Sequence, residues 1–344
     1  MKSITVSCPG KVILFGEHSV VYNRLAIVSS LSRRTTCKIS ESEKQTSLYL
    51  PLFEKTYTIP TEILFQSLYE IEQNEDYSEP LIKVLLVILQ SVVSKKEFTN
   101  LKIEINSTIP IGSGLGSSAS FCVSLAASLL IFFKKIDPIN NKFTQEQLEK
   151  INTIAYKGEN IFHGSSSGID NTISTFGGIF TYQKGKIKPI SFLKKNIEIL
   201  IINSGIQRKT KEKVGRVREL YDQYQDIMTH IFNAMEQITV QFISEFTTKQ
   251  TNTETNPLDK ANQLCRIFHE LLCSIDVSHP KLDPIIKIGQ KFGMHLKITG
   301  AGGGGCVYGF LLPNVDYSEL EQELKNANLQ YFRSKLGGEG VKIL

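Results

Sequence analysis

The chain has 344 residues, 41% hydrophobic and 21% charged, with 19 Phe and 12 Tyr, a composition that excludes a disordered polymer and suits a packed protein of more than one domain. Net charge is +5, yet the 39 Lys and Arg alternate with 34 acidic residues, so no nucleic-acid partner is implied. Six cysteines, Cys8, Cys37, Cys122, Cys265, Cys273 and Cys306, show no C-x-x-C and no repeated spacing, which argues for free thiols in a reducing compartment rather than a zinc site or disulfide framework.

"SITVSCPGKVILFGEH" alternates and then runs apolar, which predicts a strand, a turn at Pro9 and Gly10, and a second strand over residues 3–15. No apolar signal core precedes it, and the apolar run at 121–133 is too short to span a bilayer. The expectation is a cytoplasmic protein outside the membrane, with internal targeting, including a peroxisomal address, left open. Short strands are predicted near 36–40, 47–51 and 56–59, a helix over 79–95, and an alternating strand in "NLKIEINSTIP". That strand runs into "PIGSGLGSSAS", residues 110–120. Residues 117–135 lack Gly and Pro and read as a long buried helix. Thr144 and Gln147 form a capping-box pattern opening another helix, which the turn-rich "HGSSSG" ends.

A hairpin is predicted around Gly185, followed by the apolar strand "NIEILIINSG" at 196–205, which places a domain division between 1–191 and 192–344. From about 211 the chain reads as mostly helical. "TTKQTNTETN", residues 247–256, is polar and reads as a mobile loop. The densest basic cluster, "RKTKEKVGRVR" at 208–218, has a plain reading as the solvated face of a helix start. "HLKITGAGGGGCVYGFLL" reads as strand, glycine turn, strand, a second backbone-rich site, and a helix with a short final strand completes an α+β second half.

The 110–120 loop fits neither familiar phosphate signature, because Ser117 stands where a dinucleotide motif needs its third glycine and no lysine precedes the serines. Exposed amides and a helix N-terminus still attract anions without side-chain charge. A bare strand-to-helix turn would explain the same glycines. If the loop grips phosphate, the positive charge must come from a metal ion or a distant lysine. Ser118, Glu159 and Asp170 offer the hard oxygens that Mg²⁺ takes alongside substrate phosphates, although each carboxylate alone reads as a surface residue. Lys11, Gly16, Glu17 and His18 likewise have plain readings as an edge lysine and a structural histidine turn. No G-x-S-x-G elbow is present.

Three motifs in this order, "PGKVILFGEH" at 9–18, "PIGSGLGSSAS" at 110–120 and "KITGAGGGGC" at 297–306, span nearly the whole chain. On them the sequence resembles the GHMP kinases, most of all the branch acting on mevalonate. Galactokinases carry an aspartate soon after "GEH", whereas "GEHSVVYN" offers an apolar wall, and "GENIFHGSSSGIDN" at 158–171 is similar to the mevalonate branch. The resemblance implies a two-domain α+β GHMP kinase fold: an N-terminal ribosomal-S5-domain-2-like domain with a left-handed β-α-β crossover, and a C-terminal ferredoxin-like α/β domain.

It also implies a kinase using ATP and Mg²⁺ to phosphorylate the C5 hydroxyl of mevalonate in isoprenoid and sterol precursor synthesis. Ser107, Gly112, Ser113, Gly114, Leu115, Gly116, Ser117, Ser118 and Lys11 would surround the ATP phosphates. Ser118 and Glu159 would hold Mg²⁺, Asp170 would be the catalytic base with Lys11 beside it, and Glu17, His18, Val20, Gly300 and Ala301 would join Asp170 in binding substrate. Arg208, Lys209, Thr210 and Lys211 lie where the family presents a loop to the active site. A homodimer and feedback inhibition by prenyl diphosphates are further family expectations. Ser166 replaces the usual proline before Asp170, and Leu52 lies about where an asparagine often meets adenine. The competing readings are a phosphomevalonate-type kinase, which needs extra Lys or Arg from the 208–218 cluster, and a silent ATP-binding sensor, against which Lys11, Ser118, Glu159 and Asp170 together speak.

Overall fold

Residues Ser3–Phe15 form one unbroken strand, β1, rather than two strands around a turn. The ladder to β2 (Ala26–Glu41) pairs Pro9 with Arg34 and Lys11 with Ser30, so Gly10 stands opposite a bulge formed by Leu31, Ser32 and Arg33 of β2. Its need for glycine comes from elsewhere: a Cβ on Gly10 would lie 2.7 Å from the carbonyl oxygen of Leu115. The dipeptide that reads as a turn signal serves a close backbone approach.

The computed structural model describes residues 3–164, 166–193, 196–248 and 256–344. After β2 come β3 (Thr46–Leu50) and β4 (Lys55–Ile59), the short helices α1 (Thr61–Leu64) and α2 (Leu68–Glu72), then α3 (Pro80–Val92) and β5 (Leu101–Ser107). Next are α4 (Ser117–Phe132), α5 (Gln145–His163), α6 (Ile169–Phe176) and the hairpin of β6 (Ile179–Gln183) and β7 (Lys186–Ile190). The second half holds β8 (Glu198–Asn203), α7 (Thr210–Gln223), α8 (Gln225–Thr247), α9 (Pro257–Ser274) and α10 (Asp283–Lys291). It closes with β9 (Lys297–Ile298), β10 (Cys306–Phe310), α11 (Ser318–Asn326), β11 (Gln330–Lys335) and β12 (Lys342–Ile343). Of the polar stretch expected to be a loop, Thr247 ends α8 and Asn256 caps α9. Residues 249–255 lie outside the described residues.

The first sheet runs β12-β1-β2-β5-β3-β4, with β6 and β7 extending from β2, and β3 lies parallel to β5 while its other pairs are antiparallel. The second is antiparallel, β11-β8-β10-β9. The last strand thus returns to the first sheet, where Val6 faces Ile343. Helix α4 is apolar around its circumference and buried along nearly its whole length, and it packs with α3 and α5 on the first sheet's inner face. Helix α5 starts at the expected capping box, with Thr144 and Gln147 satisfying each other's backbone N–H groups. A second apolar core joins the far end of β1, through Val12, Leu14 and Phe15, to the second sheet and α8 and α9. The two halves share a core and leave a cleft above α4. No helix among the described residues is long and apolar enough to cross a membrane.

Candidate active site

The loop between β5 and α4 turns on Gly112, Gly114 and Gly116, with φ of +69°, +84° and +75°, a left-handed backbone that side chains disfavour. Gly116 is the N-cap of α4 and no side chain caps that helix, so its first amides face the cleft. The loop rests on β1. The Lys11 N–H donates to the Leu115 carbonyl at 2.8 Å, and a Cβ on Gly116 would lie 2.9 Å from Lys11 Cγ. The stem of Lys11, 4% exposed, therefore runs beneath the loop, and its ammonium emerges 3.3 Å from Asp170 Oδ1 in the first turn of α6.

Gly158 lets α5 press against its neighbours, since a Cβ there would lie 2.8 Å from Ile88 Cδ1 and 2.9 Å from Cys122 Sγ. That contact buries the next residue, Glu159, beside the start of α4. Burial first, and then the charge of Asp170, push the Glu159 carboxyl up to about 7, against opposing pulls from Ser118 and Lys11. His163, one helical turn on, stands 3.8 Å from Glu159 Oε2 and 3.1 Å from Ser118 Oγ. Burial holds its imidazole below the ordinary value. A buried carboxylate short of cationic partners, next to a serine hydroxyl, suits a hard divalent cation. No group of three or more His, Cys, Asp or Glu that could by itself hold a metal ion is found among the described residues; Mg²⁺ commonly takes only one or two protein oxygens alongside phosphates.

The opposite wall supplies a cation that the loop lacks. Arg208, in the turn after β8, lies across both glycine segments. A Cβ on Gly114 would meet its Nη1 at 1.4 Å, one on Gly300 its Cζ at 3.2 Å, and one on Gly305 its Cδ at 2.6 Å. Burial lowers its pKa while Asp170 pulls it back, and its Nε is buried without a partner. Much of the rest of the cluster is a solvated helix face, where Lys209 pairs with Glu212, Arg218 with Asp222, and Arg216 with Glu219 and Asp276, whereas the Lys213 stem packs against Gly303 and its ammonium donates to the Asp276 carbonyl.

The cleft has a volume of about 620 Å³. Its lining includes the apolar Leu50, Leu52, Phe53 and Leu81 and, with the glycine loop, Lys11, Asp170, Arg208 and Thr210. An apolar slot, a bed of backbone amides and a cationic end bearing a carboxylate match a nucleotide whose last phosphate meets an acceptor at Asp170.

Comparison with known proteins agrees. The GHMP kinases N terminal domain pattern matches residues 81–178, and the GHMP kinases C terminal pattern matches residues 250–331. The chain is 33% identical to a mevalonate kinase of Dictyostelium discoideum, covering 99% of this chain and 96% of that protein. It is 31% identical to a mevalonate kinase of Homo sapiens, over 99% and 94%. The crystal structure of the Methanococcus jannaschii mevalonate kinase superposes with a TM-score of 0.81 at 28% identity, covering 98% of this chain and 99% of that one. The chain belongs to the GHMP kinase family.

The GHMP motifs do not all reach the cleft, and several sequence expectations need correction. Glu17 does not face substrate: its Oε1 accepts from Lys297 Nζ, both side chains are 0% exposed, and burial raises its pKa against the pull of Lys297. His18 is 6% exposed and its Nε2 sits 2.9 Å from the Ala301 carbonyl, so two residues expected on the substrate meet each other. Val20 sits half-buried in the 3-10 turn Ser19–Tyr22 and does not line the cleft. The glycine turn 302–305 is packed rather than open. The Gly303 and Gly305 N–H groups donate to Val277 and Ile206, and a Cβ on Gly302 would lie 2.1 Å from the Val277 carbonyl oxygen.

Within the loop, Ser113 Oγ donates back to Pro110 and the Leu115 side chain is buried, so neither side chain lines the cleft, while Ser107, Gly112, Gly114, Gly116, Ser117 and Ser118 do. The Ser166 carbonyl accepts from the Tyr156 hydroxyl and its N–H donates to Asn160 Oδ1, which braces the turn before Asp170. Nothing local in the sequence marks His163 as a site residue beyond its place one helical turn after Glu159.

Proposed function

We propose that the protein transfers the γ-phosphoryl group of ATP to the C5 hydroxyl of mevalonate, giving 5-phosphomevalonate and ADP. The observation that carries this reading is the Lys11 and Asp170 pair, 3.3 Å apart, at the mouth of an uncapped glycine-rich loop. The names of the full-length relatives supply the substrate.

In this mechanism the amides of 112–118 and the N-terminus of α4 orient the triphosphate. The C5 oxygen bonds to the γ-phosphorus as the bond to the β–γ bridging oxygen breaks, and the hydroxyl proton passes late to Asp170. Lys11 holds the Asp170 carboxylate and the forming alkoxide, and Arg208 bears on charge at the transferring group. Ser118 and Glu159 would hold a magnesium ion, which supplies neutralisation of the phosphate charge. A phosphorylated acceptor would need more cations at Asp170 than Lys11 and Arg208, and of the neighbouring basic residues Lys209, Arg216 and Arg218 are engaged with surface acids while Lys213 donates to the Asp276 carbonyl.

The test is a coupled ADP-release assay with Mg-ATP and, in parallel, mevalonate, 5-phosphomevalonate, galactose and homoserine. Turnover on mevalonate alone is expected. Turnover on another acceptor would keep the kinase and discard the substrate, and none at all would leave an ATP-binding sensor.

A further inference from the structure

Glu17 and Lys297 are 280 positions apart in the chain and meet in the core. Lys297 Nζ donates to Glu17 Oε1 and, at 2.8 Å, to the Ile298 carbonyl. The rings of Phe15, Phe268 and Tyr308 surround that ammonium with centroids 5.4, 5.0 and 5.0 Å away. The second carboxylate oxygen, Glu17 Oε2, is buried without a hydrogen-bond partner. A fully desolvated ion pair with an unsatisfied oxygen is no bargain in stability, because apolar side chains of similar volume commonly pack there at no loss. Its strength is directional.

What it directs is the junction of the two halves. The neighbouring Tyr308 hydroxyl donates to the Leu14 carbonyl at 2.6 Å and Thr299 Oγ1 to the Ile13 carbonyl at 3.0 Å. Both tie the second sheet to the end of β1. On the far side of Glu17, His18 has φ of +60° and its ring meets the Ala301 carbonyl. Gly16 cannot yield, since a Cβ there would lie 2.5 Å from Ala26 Cα. Ala301 follows Gly300, which lies under the Arg208 guanidinium. The chain of contact runs from Lys297 through Glu17, His18 and Ala301 to the cation opposite Asp170.

We infer that Glu17 and Lys297 form a positioning pair that sets the 16–18 turn against the 300–305 loop and thereby fixes the Arg208 guanidinium, which lies on that loop, relative to Asp170 and the glycine loop. Neither residue touches the reacting atoms. The identity of the acceptor rests on the function proposed above; the coupling of the two loops does not.

Two variants separate positioning from mere support: Lys297→Met, which strands the carboxylate, and Glu17→Met combined with Lys297→Met, which replaces the pair by matched apolar chains. Each is read by thermal melting, by KM for mevalonate and for ATP, and by amide exchange at Gly303 and Gly305. Lys297→Met should melt earlier and the double variant should recover. In the double variant KM for mevalonate should stay raised about tenfold with KM for ATP within about twofold, the mark of lost acceptor binding rather than lost active protein, and exchange at Gly303 and Gly305 should stay faster than in wild type. Wild-type KM values and wild-type exchange in the double variant would overturn the inference. If the wild-type protein does not turn over mevalonate, the proposed function fails, and the exchange comparison alone still decides the coupling.

Discussion

Arg208 lies so close over Gly114 that a methyl group at that glycine would stand 1.4 Å from its Nη1. The glycine loop carries no lysine of its own, and the second half of the chain lends it a guanidinium. A Gly114→Ala change therefore acts twice, by straining a backbone at φ +84°, worth about 1–3 kcal/mol, and by pushing the flexible end of Arg208 off the loop. Arg208→Ala should lower kcat on the order of 10²-fold, as loss of one preorganised charge-stabilising donor does. Gly114→Ala should do the same, and the double variant should be little worse than either. Additive losses in that cycle would show that the two residues act independently.

Asp170→Asn should preserve the fold and nucleotide binding while kcat falls about 10²- to 10⁴-fold, the usual worth of a positioned proton acceptor. Calorimetry with Mg-ATP and no acceptor measures the first claim, and steady-state turnover the second. Near-wild-type kcat in this variant would remove Asp170 from its role.

The parts of this site that are legible in the sequence are those built from one short segment. The amides of 112–118 and the α4 N-terminus are a local matter of glycine spacing followed by a helix-forming run, and the α5 start follows from Thr144 and Gln147 alone. Lys11 is legible through the order of three motifs, and Glu159 and Asp170 through the family resemblance of the 158–171 stretch. What stayed hidden is partnership across distance. Nothing local marks Glu17 as the partner of Lys297 rather than of a substrate, because a buried ion pair has the same residue types as a solvated one. Pro9 and Gly10 carry a turn signal, but the Leu115 carbonyl that requires the missing Cβ comes from another segment. The four glycines at 302–305 signal open backbone equally well whether a ligand or, as here, Ile206 and Val277 occupies the space.

Glu159 makes stability depend on pH in a predictable direction. Folding raises its pKa to about 7, so between the ordinary carboxylate value and about pH 7 the folded protein binds more protons than the unfolded chain, and stability falls as pH rises through that window. The penalty is absent below it and reaches about 3 kcal/mol above it, at 1.36 kcal/mol per pKa unit. Without nucleotide or divalent cation, Glu159→Gln should melt near wild type at pH 4.5 and above it at pH 8, with the gap opening across the window. Added MgATP should stabilise wild type more than the variant. A gap that does not change with pH would mean the carboxylate is not held protonated by its surroundings.

The helix that carries Asp170 is braced from behind by the returning tail. The Gly178 N–H donates to the Gly338 carbonyl at 2.8 Å and the Val341 N–H to the Thr175 carbonyl at 3.0 Å, which closes the tail over the C-terminal end of α6. Gly340 sits in that contact with no room to spare. A Cβ there would lie 2.1 Å from the Thr175 oxygen and 2.7 Å from the Gly177 nitrogen, both backbone atoms that cannot swing aside. At Gly338 the nearest atoms would be 3.9 Å away, an ordinary contact. Gly340→Ala should therefore cost about 1–3 kcal/mol as overpacking and lower kcat by tilting α6, whereas Gly338→Ala should stay within about 0.5 kcal/mol of wild type with unchanged turnover. Denaturant melts and kcat measured on both variants decide this, and equal behaviour of the two would mean that the tail does not brace the helix bearing Asp170.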